Sequence, residues 1–129
     1  MNKILVEVSI GELLDKISIL EIKQEKIKDP EKIKFINNEY SILKNQFNTN
    51  VKSDDKLNQL YKSLKEINSK LWIIEDDKRQ CEKDKDFSDK FIKLSRDVHF
   101  LNDDRAKIKL EINNHSGSMI KEIKEYTNY

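Results

Sequence analysis

The chain has 129 residues, 38% of them charged, with two Gly, one Pro and a formal net charge of +1. That length suits one domain, and so few turn-forming residues favour long helices with short connections. Interleaved charges that nearly cancel give no electrostatic footprint for DNA or RNA, and no apolar run approaches the roughly 20 residues that span a membrane.

The first segment, "ILVEVS" (residues 4–9), is rich in β-branched residues and too short for a helix, so it predicts one strand. Glu7 interrupts its apolar run and no small-residue cleavage site follows, so it does not read as a signal peptide. Ser9 reads as an N-cap, with Glu12 three residues on completing a capping box. A helix is predicted over 10–28, with Leu13, Ile17, Leu20, Gln24 and Ile27 on one seam. In "KDPEK", Asp29 suits a cap and Pro30 the first helical position, which opens a second helix over 30–47. Its seam is Ile33, Ile36, Tyr40, Leu43 and Phe47.

The polar break "NTNVKSDD" offers Ser53 or Asp54 as the next cap. A third helix follows over 54–82, with Leu57, Leu60, Leu64, Ile67, Leu71 and Ile74 on its seam and Lys78 and Cys81 on the same beat. After "EKDKDFSD", capped by Asp86 or Ser88, a fourth helix is predicted over 87–113. It carries Phe91, Leu94, Val98, Leu101, Arg105, Ile108 and Ile112, and Asn113 and Asn114 suit a left-handed end. The tail "SGSMIKEIKEYTNY" fits neither helical nor strand periodicity and reads as irregular or extended. A lone strand needs a partner for its backbone, so residues 4–9 should pair either with this tail or with a second subunit.

Sustained three-four spacing in four segments predicts an all-α fold: a four-helix, two-hairpin antiparallel bundle with helices crossing at about 20°. Long amphipathic hairpins of this kind commonly pair with a second copy, so a homodimer is expected. Cys81 is the only cysteine, which excludes an intrachain disulfide and suggests a reducing cytoplasm.

Only three of the 25 basic residues are arginine, and Arg79, Arg96 and Arg105 all fall on the second hairpin. Arg105 sits where the apolar rhythm should continue between Leu101 and Ile108. The planar fork of Arg holds carboxylates or phosphates two-handed, which Lys does not. A hairpin turning near Lys85 would bring Arg105 opposite Glu66 and Arg96 opposite Glu75. Asp97 and Asp103 lie on the same helix, and Glu12, Asp15 and Glu21 on the first helix offer further carboxylates. Three readings follow. One is an exposed seam position for Arg105 in a wider bundle. In the other two, Arg105 with Glu66 forms a structural ion pair that sets register, or Arg79, Arg96 and Arg105 line a site for an anionic ligand with Glu66, Glu75 and Asp103 as orienters.

Other chemistry-bearing residues read blandly. His99 suits a half-buried, hydrogen-bonded role, His115 a solvated turn, Cys81 a small apolar filler and Trp72 a core or interface anchor. Asp76–Asp77 and Asp103–Asp104 each offer one carboxylate to any one site, because adjacent helical residues point about 100° apart. The spacing of Glu12 and Asp15 does put two carboxylates on one face, which makes this pair a candidate for a metal. No Gly-rich phosphate loop and no zinc-type spacing is present.

The stretches "VSIGELLDKISILEIK", "EINSKLWIIEDD", "FIKLSRDVHFLNDDRAKIK" and "IN" ahead of "GS" resemble a small family of uncharacterised helical proteins of aquatic bacteria and their viruses, a domain of unknown function. The resemblance spans most of the chain and implies no catalytic residue. Looser analogies run to the all-helical chorismate mutases and nucleotide pyrophosphatases. The arginine of the former's first long helix has no match here, nor does the Glu-Glu-x-x-Glu partner of the latter. The expectation is therefore a non-enzymatic interaction or regulatory module with a structural Arg–carboxylate layer, without a cofactor. The alternative is an enzyme or sensor for a phosphorylated or carboxylated metabolite, the one reading in which Mg²⁺ would enter.

Overall fold

The computed structural model describes residues 2–129 as four α-helices: α1 (Ile10–Lys26), α2 (Pro30–Asn50), α3 (Asp55–Asp84) and α4 (Asp89–Ser116). Among the described residues no helix is long and apolar enough to cross a membrane.

Three of the four helices start where a side chain accepts from free backbone donors. Ser9 Oγ accepts from the Glu12 N–H, Asp29 from Glu31 and Lys32, and Asp54 from Leu57. Ser88 precedes α4 but makes no side-chain cap bond. The capping box at Ser9 is only half made, because the Glu12 carboxylate turns to Lys109 instead. α3 ends at Lys85 in the left-handed region (φ 54°). α4 runs through Asn113 and Asn114 and ends at Gly117 (φ 70°), where the absence of a Cβ removes the steric cost.

α1 is the centre of the assembly and packs against each of the other three helices, while α3 and α4 form the longest pairing. Its exposure pattern shows why. Leu14, Ile17, Leu20 and Ile22 are all buried, so α1 is enclosed on more than the single seam its spacing suggested. Leu14 and Ile17 join Phe47, Leu57, Leu60, Leu64 and Ile112 in one core cluster, with Tyr40 and Leu43 packed against it. Each fully buried Leu or Ile contributes about 1.5–3 kcal/mol. The α2 seam supplies Phe47 to this cluster, the α3 seam Leu57, Leu60 and Leu64, and the α4 seam Ile112.

The expected N-terminal strand does not form. Among the described residues there is no strand, and Ile4, Leu5 and Val6 are exposed. The reason is a missing partner: the tail, which was the intrachain candidate, folds back along α4 instead. Ser118 Oγ accepts from the Ile10 N–H, Glu122 reaches Lys109, and the Tyr129 hydroxyl donates to Asp103 while its ring meets Phe100 edge-on.

The open end of the second hairpin is tied as well. His115 Nε2 lies 2.9 Å from the Asp54 carboxylate, linking the end of α4 to the start of α3. The Leu57 N–H, and then His115, hold the Asp54 carboxyl below its ordinary range. One packing defect stands out. The buried Tyr61 hydroxyl has no hydrogen-bond partner among the described residues. An unsatisfied buried hydroxyl is costly, so Tyr61→Phe is expected to raise stability by about 1 kcal/mol, read as a higher midpoint in urea unfolding.

Candidate functional site

Where α1 crosses α3 and α4 the core turns polar. Ser18 and Asp15 are buried on α1, Asn68 on α3, and Lys109 and Asn113 on α4. The local reason is spacing. Arg105, Lys109 and Asn113 step by four along one face of α4, and Gly11, Asp15 and Ser18 step by four and three along α1.

The closest approach is at Gly11. Its N–H donates to Asn113 Oδ1 at 2.7 Å. A Cβ built there would lie 2.6 Å from the Lys109 carbonyl oxygen, so only glycine lets α4 come this near. One turn along, Asn68 Nδ2 donates to Asp15 Oδ1 and to Ser18 Oγ, each at 2.8 Å, and the Ser18 hydroxyl donates to the Asp15 carbonyl. Asn68 Oδ1 accepts from Arg105 Nη1 at 3.4 Å. Every polar group of Asn68 is thus used, as a buried amide requires.

Beside this junction Lys109 Nζ donates to Glu12 at 2.7 Å and to Glu122 at 3.3 Å, and lies 3.8 Å from Asp15 Oδ2. Burial pulls the ammonium pKa down. The Glu12 hydrogen bond and the charges of Asp15, Glu12 and Glu122 outweigh it and leave the pKa above its ordinary value. Lys109 in turn holds the Glu122 carboxyl below its usual range. Glu12 and Asp15, the pair considered as metal ligands, converge on this ammonium, which occupies the place a cation would take. Among the described residues there is no group of three or more His, Cys, Asp or Glu that could hold a metal.

The arginines are disposed differently from the pairing read along the hairpin. Arg105 is half-buried and makes no salt bridge among the described residues; Glu66 is exposed and lies off its face. Two residues further, about 200° around the helix, Asn68 takes the position opposite Arg105. The ion-paired layer therefore forms on Lys109, not on Arg105. Arg96 is exposed and makes no salt bridge among the described residues, and Asp97 next to it pairs with Lys93 at 2.8 Å. Asp103 receives the Tyr129 hydroxyl.

Arg105 instead opens into a groove of about 320 Å³ between α1, α3 and α4, with Arg79, Glu75 and Asp76 on its walls. Trp72, Leu71, Ile19 and Ile22 form its apolar side, and Asn68 its inner end. Of the arginines and acids singled out by sequence, the fold brings Arg79, Arg105 and Glu75 together and leaves Arg96, Glu66 and Asp103 outside. The remaining candidates are elsewhere: His115 is engaged by Asp54, His99 is exposed, and Cys81 is buried toward the far end of α3.

A family model described as a family of unknown function, DUF6165, matches residues 4–129. The chain belongs to this family. No curated protein and no solved structure matches it. In this DUF6165 member the sequence pattern gives the junction residues Asn68 and Lys109 no role and Asn113 only that of a helix end, because each sits one position after an apolar seam residue. The signal that could have found them is the shared four-residue step of Arg105, Lys109 and Asn113, set against the only glycine of the four helices.

Proposed function

We propose that the protein is a binding module or sensor for a small carboxylated or phosphorylated metabolite, held in the groove of Arg79, Arg105 and Trp72. One observation carries this: Arg105 is half-buried at the groove's wall and, among the described residues, has no carboxylate partner and one side-chain bond, the long one to Asn68. A guanidinium so placed keeps most of its donors for a bidentate anion. Arg79 adds a second charge, and the Trp72 face with Ile19, Ile22 and Leu71 suits an apolar or planar body. Glu75 and Asp76 on the same walls favour a ligand that also carries hydroxyl or ammonium donors. A groove of about 320 Å³ is at the small end of metabolite sites.

The test is thermal melting of wild type and Arg105→Met with nucleotides, sugar phosphates and dicarboxylates, with and without Mg²⁺. Arg105 lacks a charged partner, so Arg105→Met is expected to melt at the wild-type temperature or above it. One class of anion should raise the wild-type midpoint by several degrees, since a ligand at 100 times its Kd adds about 2.7 kcal/mol. The variant should not respond. A variant that melts several degrees lower, with a wild type indifferent to the whole panel, would show that Arg105 serves the fold alone.

A further inference from the structure

The chain exposes 9715 Å². A compact monomer of 15.4 kDa exposes about 7,200 Å², so this one shows roughly 2,500 Å² more. Part of the excess is apolar; besides scattered side chains such as Phe35, Met119 and Ile123, two patches carry it. One is the arm ahead of α1, where Ile4 is 87%, Leu5 79% and Val6 74% exposed. No backbone hydrogen bond of a turn, loop or cap involves residues 2–8. The other is a shallow groove of about 390 Å³ between α3 and α4, lined by Ile73, Ile74, Phe100 and Leu101 with Lys70 and Asp97 at its margins.

The two are complementary. In the arm, Ile4, Leu5 and Val6 lie between a cation, Lys3, and an anion, Glu7. The groove sets its apolar floor beside an anion, Asp97, and a cation, Lys70. Lys70 is exposed and makes no salt bridge among the described residues, whereas Asp97 already holds Lys93. The arm does not enter the groove of its own chain, since its residues stay exposed.

We propose that residues 3–8 of one copy dock in the α3–α4 groove of a second copy, and reciprocally, with Glu7 against Lys70 and Leu5 against Ile73 and Phe100. The exchange makes a symmetric dimer of two identical arm-in-groove contacts. A stable interface buries about 1,200–2,000 Å² in total, well within the excess each chain carries. The proposal is independent of the metabolite reading, since the Arg79–Arg105 groove lies on the other side of α3 and takes no part in it.

The experiment is sedimentation equilibrium of the full chain over a range of concentrations. Wild type should show twice the 15.4 kDa monomer mass, dissociating on dilution. Leu5→Glu and Ile73→Glu replace exposed side chains, so both should fold, with wild-type circular dichroism, and each should run as a monomer. Mixing the two variants should restore dimers, because one arm and one groove in each mixed pair remain intact. Glu7→Lys should weaken association at least tenfold, and adding Lys70→Glu should recover most of it. A monomer at every concentration would overturn the proposal. So would a dimer indifferent to Ile73→Glu, or one that Leu5→Glu breaks and the Ile73→Glu partner fails to rescue, since arms pairing with each other give that pattern.

Discussion

Gly11→Val is expected to lower the unfolding free energy by about 3 kcal/mol, or to prevent folding at 37 °C. Glycine is a poor helix former, and on propensity alone a substitution would gain up to about 1 kcal/mol. Packing reverses the sign. The added Cβ would meet the Lys109 carbonyl oxygen at 2.6 Å and the Asn113 side chain at 2.9 Å. The first of these is backbone of another helix and does not swing aside, so α1 must lift from α4. Overpacking of this kind costs about 1–3 kcal/mol. Lifting also breaks the buried Gly11 N–H to Asn113 bond, and an orphaned buried donor costs about 1–3 kcal/mol. Gly11→Ala should show the same sign at smaller size. Urea unfolding decides it: an alanine variant more stable than wild type would mean that helix propensity outweighs the close approach.

Lys109→Met should cost about 2–4 kcal/mol. Methionine keeps the stem and removes the charge. Asp15, 6% exposed, would then keep only Asn68, and Glu12 would lose its cation. Removing one member of a buried charge group leaves the others unpaired, which is costlier than the group's own net worth. The value falls below the fully buried limit because Glu122 stands at the rim with its side chain 47% exposed. Glu12→Gln combined with Lys109→Met should be less destabilised than the two single effects added, since they share one contact.

The same contact sets a pH dependence. Lys109 has a raised pKa in the fold, so its contribution is complete below the ordinary lysine value of 10.5 and is lost as pH rises through the folded value. Glu122 has a depressed one, so its contribution is complete above the ordinary 4.5 and is lost as pH falls through the folded value. Wild type should therefore hold this contribution across neutral pH and lose it at both extremes. In Lys109→Met the alkaline loss should vanish and the acid loss shrink. An unchanged acid limb in the variant would mean that the Lys109–Glu122 contact adds nothing to stability.

The amino-acid sequence by itself determined the elements. Caps at Ser9, Asp29 and Asp54, the single Pro at the first position of α2, and three-four apolar spacing specify four helices, because these effects act within a turn or two of chain. It also marked Arg105 as out of place, since a charge in an apolar rhythm is visible without knowing what it faces. What faces it was decided by tertiary structure alone. Whether Glu66 or Asn68 meets Arg105 depends on how α3 is rotated against α4, and α1 sets that by wedging Asp15 and Ser18 beside Asn68. The partner of residues 4–9 was likewise undetermined: strand propensity is local, but a strand exists only when another segment satisfies its backbone, and the tail spends itself on Lys109, Asp103 and Phe100. The charged layer moved from Arg105 to Lys109 for the same reason. A long side chain finds its partner by where the helices cross, and crossing is set by the smallest residue at the interface, Gly11, which is 98 residues away in sequence from Lys109.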